Sequence, residues 1–315
     1  MTEKTTDVMP NPDEAVEETA MQGNDAARSL WGDAWRELRR NPLFWVSVVM
    51  IATLLLMAIA PQIFTRVDPE FCDLNRARQA PGQGSLFGYD LQGCDVYART
   101  VYGARSSILV GTLTTLVTVL LGSVLGIAAG YFGGWVDTLL SRVGDIFFGI
   151  PLLLGGIIIM YTFKTPPGTP YAIVVLKVVA ALAVLGWPRI LRLMRSSVLQ
   201  VKPQDYVQAA RALGAGPGRI INSHVVPNSI AAVTVVGTID LGTYIATEAT
   251  LSFLGIGLQP PAISWGIAIS EASGLGYIAA APHMLLFPSL FLSLTVLAFI
   301  MLGEAIRTAL DPKLR

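Results

Sequence analysis

Side chains that ordinarily perform covalent chemistry are scarce in this sequence of 315 residues, which holds two histidines and two cysteines beside 22 basic and 22 acidic side chains. His224 and His283 fall beyond opposite ends of the apolar segments, so neither a metal-ligating cluster nor a Ser-His-Asp arrangement can form around them. The run Gly214-Ala215-Gly216-Pro217-Gly218-Arg219 has the glycine content of a phosphate loop. It lacks the preceding strand and the lysine of G-x-x-x-x-G-K-[ST], and reads as a helix-capping turn. Three charged residues, Lys177, Asp240 and Glu248, sit inside apolar runs. Charge there is expensive and usually faces a polar pathway or a partner. Lys177, early in its run, either snorkels outward or serves function. Asp240 lies deeper and is expected to face a pathway or to pair with Lys177. Glu248 lies near the far end of the same run.

These residues must be positioned by membrane helices. The chain is 53% hydrophobic and 14% charged, with a mean hydropathy of +0.57, whereas a soluble domain is about 25% charged. Spanning a bilayer takes about 20 mainly apolar residues, and six stretches qualify: Leu43 to Phe64, Ile108 to Tyr131, Leu139 to Tyr161, Tyr171 to Leu193, Ile230 to Leu254 and Met284 to Leu302. The third begins among Asp137, Arg142 and Asp145, and Ile146 to Met160 is its apolar half. Lys and Arg are denser on the side holding Arg36, Arg39, Arg40, Arg189, Arg192, Arg195, Lys202, Arg211, Arg219 and Arg307 than on the side holding Arg66, Arg76, Arg78, Arg99, Arg105 and Lys164. That asymmetry places both termini in the cytoplasm. The fold class is therefore all-α and integral to the membrane. Formal charges cancel, so no global field draws nucleic acid.

Residues 1–27 are acidic and poor in aromatic and β-branched side chains, and are expected to be a disordered tail. Residues 28–42 place Leu30, Trp31, Ala34, Trp35 and Leu38 on one helical face, which suits a helix lying in the membrane interface; the alternative is an inward continuation of the first span. Ala58-Ile59-Ala60 mimics a signal-peptidase site, but Pro61 stands at the cut and a retained helix is expected. Gly122, Gly126, Gly130 and Gly134 recur every fourth residue, so a neighbouring helix can approach closely. The extracytoplasmic loop 65–107 carries both cysteines, and an oxidising compartment favours a Cys72–Cys94 disulfide over two free thiols.

Between the fourth and fifth spans lies a polar cytoplasmic stretch, residues 195–228. Pro203 suits a helix start, Tyr206, Val207, Ala210 and Leu213 form an apolar face, Gly214 and Gly216 end the helix, and Pro217 starts a second one through His224. Such an exposed helix-turn-helix is suited to docking a partner.

Asp205-Tyr206-Val207-Gln208-Ala209-Ala210-Arg211-Ala212-Leu213-Gly214, followed nine residues later by His224-Val225-Val226-Pro227, resembles the E-A-A-x3-G-x9-I-x-L-P loop of ABC importer membrane subunits. Gln208, His224 and Val226 depart from that pattern, standing where it has Glu, Ile and Leu. Phe87 to Asp95 with Ala98-Arg99, Glu248 to Gly257 with Pro260-Pro261 and Ser264-Trp265-Gly266, and Gly303-Glu304-Ala305-Ile306-Arg307 with Leu310-Asp311-Pro312 are similar to the dipeptide, oligopeptide and nickel branch, most of all to its second, C-type permease.

The resemblance implies a type I permease fold in the cell membrane, with residues 43–315 as the permease domain. It implies a subunit that is no enzyme, forming half of a pathway for dipeptides or oligopeptides, or for nickel or an oligosaccharide in the same kind of importer. It also implies a homologous second permease, two ATPase subunits that bind ATP and Mg, an extracytoplasmic binding protein, and no cofactor in this chain. Tyr206, Gln208, Ala209, Ala210, Gly214, His224 and Pro227 would couple it to the ATPases. A secondary transporter is the reading from another class, with broken helices or inverted repeats as its mark.

Overall fold

The computed structural model describes residues 30–166 and 168–310; the acidic tail expected over residues 1–27, and Asp311 and Pro312, lie outside them. Helix α1 (Leu30–Leu38) is separate from α2 (Pro42–Ile59). The break arises at Asn41, whose side chain accepts from the Leu43 N–H at 2.9 Å while Pro42 takes the first helical position. The chain therefore does not simply continue the first span inward.

The remaining elements are α3 (Val96–Phe132), α4 (Gly134–Phe148), α5 (Leu152–Thr162), α6 (Tyr171–Val201), α7 (Asp205–Ala212), α8 (Pro217–Ile220), α9 (Val226–Phe253), α10 (Trp265–Ala272), α11 (Leu275–Ala280) and α12 (His283–Leu310). Apart from two isolated bridges, the described residues contain no strand. Helices α2, α3, α6, α12 and the continuous run Pro217–Phe253 are long and apolar enough to cross a membrane, and α4 with α5 passes the same test only as a bent pair, the form of a broken span or of a re-entrant loop.

That break corrects the single third span expected from Leu139 to Tyr161. Helices α4 and α5 meet at 83°. Pro151 has no N–H to give an α-helix, its ring disfavours helical geometry at Ile150, and Gly149 adds backbone freedom. The apolar run is unbroken there, so hydropathy did not reveal the corner.

Helix α3 has 37 residues, roughly 55 Å of helix at 1.5 Å per residue, against about 30 Å of hydrocarbon. Residues 96–107, expected in the outer loop, are its projecting first turns. Leu116, Leu120 and Val124 form an exposed stripe on α3. On another face Gly122, Gly126 and Gly130 press against α6: an added Cβ would stand 2.6 Å from Ile190 Cβ, 2.7 Å from the Leu191 oxygen and 2.8 Å from Val198 Cβ, respectively. Gly134 does not belong to this face, having nothing within 4 Å of such a Cβ. It starts α4 with φ +56°, so the four-glycine register ends one member early.

Below this contact Ile190, Met194 and Val198 of α6 join Val207, Ile220, Val225 and Val233 in a core that fixes the loop between α6 and α9. At the outer side Cys72 and Cys94 are joined in a disulfide. Beside it Asp73 N–H donates to the Gly93 carbonyl at 3.1 Å. Gly93 has φ +75°, and a side chain there would collide with the Asp73 carbonyl.

Gly126→Val is expected to destabilise the chain by roughly 1–3 kcal/mol through overpacking, seen as a lowered Tm in mild detergent. Val124→Ala on the exposed stripe is expected to stay within about 0.5 kcal/mol. Maleimide labelling of denatured, unreduced protein is expected to find no reactive thiol, and labelling after reduction to find both Cys72 and Cys94.

Candidate functional site

The polar loop proper runs from Lys202 to Val225, since residues 195–201 still belong to α6 and 226–228 to α9. Within α7 only Val207 is buried, because an eight-residue helix offers its core one narrow line of contact. The apolar face expected from Tyr206, Val207, Ala210 and Leu213 is thus split. Val207 turns inward, Ala210 is half-buried, and Tyr206 and Leu213 face outward, Leu213 with 88% exposure. Gln208, Ala209 and Gly214 are exposed beside them.

Gly214 adopts φ +82°, and its N–H donates to Arg211 while Ala215 N–H donates to Ala210, each at 3.0 Å. These two bonds are those of a Schellman cap, which requires a left-handed residue at this point. Gln208 Nε2 donates to the Lys202 carbonyl at 3.1 Å, which a glutamate at this position could not do. Lys202 Nζ donates to the Tyr131 carbonyl at 2.6 Å and ties the loop to the end of α3. His224 is half-buried, its ring 6.2 Å from that of Tyr206.

The second helix does not stop at His224. From Pro217 the chain stays helical into the fifth span, through a π turn at Ile221–Val225 in which Val226 N–H donates to the Ile221 carbonyl. Pro227 explains the widening: it has no N–H for the ladder, and its ring crowds the carbonyl one turn back. Pro227 therefore lies in the first turn of α9, inside a continuous rod rather than at its boundary.

Toward its C-terminal end α6 carries Arg189, Arg192 and Arg195 at every third residue, and each meets an acid from another helix. Arg189 Nη1 pairs with Asp240 of α9 at 2.5 Å, Arg192 Nη2 with Asp145 of α4 at 2.6 Å, and Arg195 with both oxygens of Asp137 of α4. The Arg192 guanidinium also stands 3.8 Å over the Phe148 ring. Asp240 thus pairs with Arg189 and not with Lys177. Lys177 lies twelve residues earlier on α6, about 18 Å along the axis, and its Nζ donates to the Lys164 carbonyl at 3.3 Å.

Asp240 and Arg189 line a cavity of about 240 Å³ with Phe148, Pro151, Leu185, Gly186 and Tyr244. The cavity sits at the α4–α5 corner, the kind of place where non-helical backbone is tolerated in a membrane protein. Glu248, two turns outward from Asp240, lines no part of it. It is fully buried, accepts from Ser252 Oγ at 2.7 Å, and Ser252 Oγ in turn accepts from Leu258 N–H at 2.9 Å. This chain of bonds holds the turn after α9 against the span, a structural role at the outer mouth.

Further out, Arg99 of α3 pairs with Asp90 at 2.5 Å and with Glu271 of α10 at 3.1 Å. Asp90 also accepts the N–H groups of Gln92 and Cys94, each at 2.9 Å, and so links the disulfide loop to the helices. Trp265 is fully buried and donates from Nε1 to the Thr100 carbonyl at 2.9 Å. The three arginines of α6 had entered the sequence reading only as topology markers. Their spacing of three, beside Asp137 and Asp145 on a neighbouring segment, was the available signal that they face partners.

The chain is similar in fold to the methionine ABC transporter MetNI in an inward-facing conformation, with a TM-score of 0.50 and 18% identity over 66% of this chain and 96% of that one. That likeness is one of fold: packed membrane-length helices with an exposed loop between the fourth and fifth of them. Residues 122–315 match the family described as binding-protein-dependent transport system inner membrane component, and the chain belongs to that family. Residues 29–81 match the N-terminal transmembrane domain of oligopeptide transport permease C. Among relatives, the oligopeptide transport system permease protein OppC of Bacillus subtilis (strain 168) is 36% identical over 310 residues, 96% of this chain and 98% of its own length. The dipeptide transport system permease protein DppC of the same organism is 37% identical over 284 residues, 90% of this chain and 86% of its own.

Arg189→Ala is expected to lower the Tm in detergent more than Lys177→Ala, because it leaves the Asp240 carboxylate buried without its cation. Lys177→Ala is expected to shift stability by no more than about 0.5 kcal/mol.

Proposed function

We propose that this chain forms half of the translocation pathway of an ATP-driven importer of dipeptides or oligopeptides, with both termini in the cytoplasm. The observation that carries the reading is the outward-facing Tyr206 to Leu213 surface, mounted on a loop that continues as a rigid helix into the fifth span. Relatives named for oligopeptide and dipeptide transport, similar over nearly their whole length, support the substrate class.

Two ATPase subunits, which bind ATP and Mg, power the complex, and one of them docks on Tyr206, Gln208, Ala209, Ala210 and Gly214, with His224 behind Tyr206. A homologous permease supplies the other half of the pathway, and an extracytoplasmic binding protein delivers the peptide. This subunit catalyses no covalent step. Closure of the ATPase pair displaces α7 and α8, and the helix running from Pro217 carries the motion to Asp240 and the cavity, a rigid-body route to alternating access. A broken span is also found in transporters that work without ATPases, but the exposed docking surface has no use in such a protein.

Purification from the native membrane in mild detergent is expected to recover ATPase subunits and a second permease, with ATP hydrolysis stimulated by peptide-loaded binding protein. Leu213→Asp, at an exposed position, is expected to leave folding unchanged while abolishing recovery of the ATPases and peptide uptake. Recovery of the wild-type chain alone, or full uptake by the variant, would refute the docking assignment.

A further inference from the structure

Asp240 lines the cavity beside Arg189, and one of its two acceptor oxygens is left without a hydrogen-bond partner. One Asp240 oxygen takes the Arg189 guanidinium, and the other, Oδ2, is buried without a hydrogen-bond partner. The Asp240 side chain is 3% exposed, whereas that of Arg189 is 54% exposed and keeps further N–H donors free to turn toward the cavity. A buried acceptor left open is destabilising, a cost that persists where a ligand supplies the donor.

The walls are shaped for a small, mixed-polarity group. Gly186 leaves room for the Tyr244 hydroxyl, which a Cβ at that position would strike. Phe148, Leu185 and Pro151 close the apolar side. At about 240 Å³ the space falls below the roughly 300–1,000 Å³ of complete ligand pockets, so it holds the end of a chain and not a whole peptide.

We propose that this cavity is a transit subsite for the amino-terminal residue of peptide cargo: the α-ammonium donates to Asp240 Oδ2 and Arg189 donates to the first peptide carbonyl. Such a site reads only main-chain atoms, so it accepts peptides of varied sequence and length and takes an acylated terminus more slowly, since that terminus brings no charge to the carboxylate. The inference rests on the peptide-importer reading and adds to it which part of the cargo the membrane helices recognise.

The test uses the complete complex in liposomes with its binding protein, comparing uptake of a tripeptide with that of its N-acetylated form. Because the same binding protein serves every complex, the variant-to-wild-type ratio for each peptide cancels its own preference. Asp240→Asn is expected to lower uptake of the free tripeptide about tenfold, the scale of a lost charged hydrogen bond, and uptake of the acetylated form by less than about twofold. The exchange Arg189→Asp with Asp240→Arg keeps an ion pair for folding, and is expected to preserve ATPase stimulation while showing the same selective loss. Equal losses for both peptides, no loss for either, or recovery of free-tripeptide uptake in the exchanged complex would overturn the subsite. A wild-type complex that takes up neither peptide would overturn the peptide reading itself, before any variant is compared.

Discussion

The arrangement depends on how closely α3 and α6 approach. Lipid supplies little hydrophobic drive between membrane helices, so association rests on dispersion contacts, which need backbones in near contact. Gly122, Gly126 and Gly130 provide that contact for two turns of α6. With α6 held there, its arginines at 189, 192 and 195 are presented to acids on α4 and α9, and its inner end delivers the loop to the core around Val207. The glycines thus act at a distance, through the rotation they impose on one helix.

Two kinds of packing then divide the labour. The apolar cores hold the loop, the centre and the outer layer separately. Ion pairs tie α6 to α4 and α9, and Arg99 of α3 ties the outer loop to α10. A pair removed from water is costly unless its geometry is good. Asp240 accepts that cost beside the cavity at the α4–α5 corner.

Much of this was legible in the residues. Five apolar runs became membrane-length helices, because about twenty mainly apolar residues have few alternatives in a bilayer. The loop between α6 and α9 was readable from Gly214 and Pro217, whose backbone restrictions act locally, whereas Pro203 stands two residues ahead of the first residue of α7, Asp205. The partners of Asp240 were not readable: the choice between Lys177 and Arg189 depends on the axial height of α6 against α9, which no local pattern encodes. The α4–α5 corner had a local cause in Gly149 and Pro151, but averaging hydropathy over twenty residues erased it. The split of Tyr206 from Val207 likewise follows from tertiary position, since both are apolar and adjacent.

The broken third span also bears on how the chain enters the membrane. Neither α4, with 15 residues, nor α5, with 11, reaches the length a spanning helix needs. Asp137 and Asp145 add charges to the first half, and their cations lie on α6, which is synthesised later. Those cations therefore reach Asp137 and Asp145 only after α6 has been made, so the pairing of α4 with α6 follows the order of synthesis.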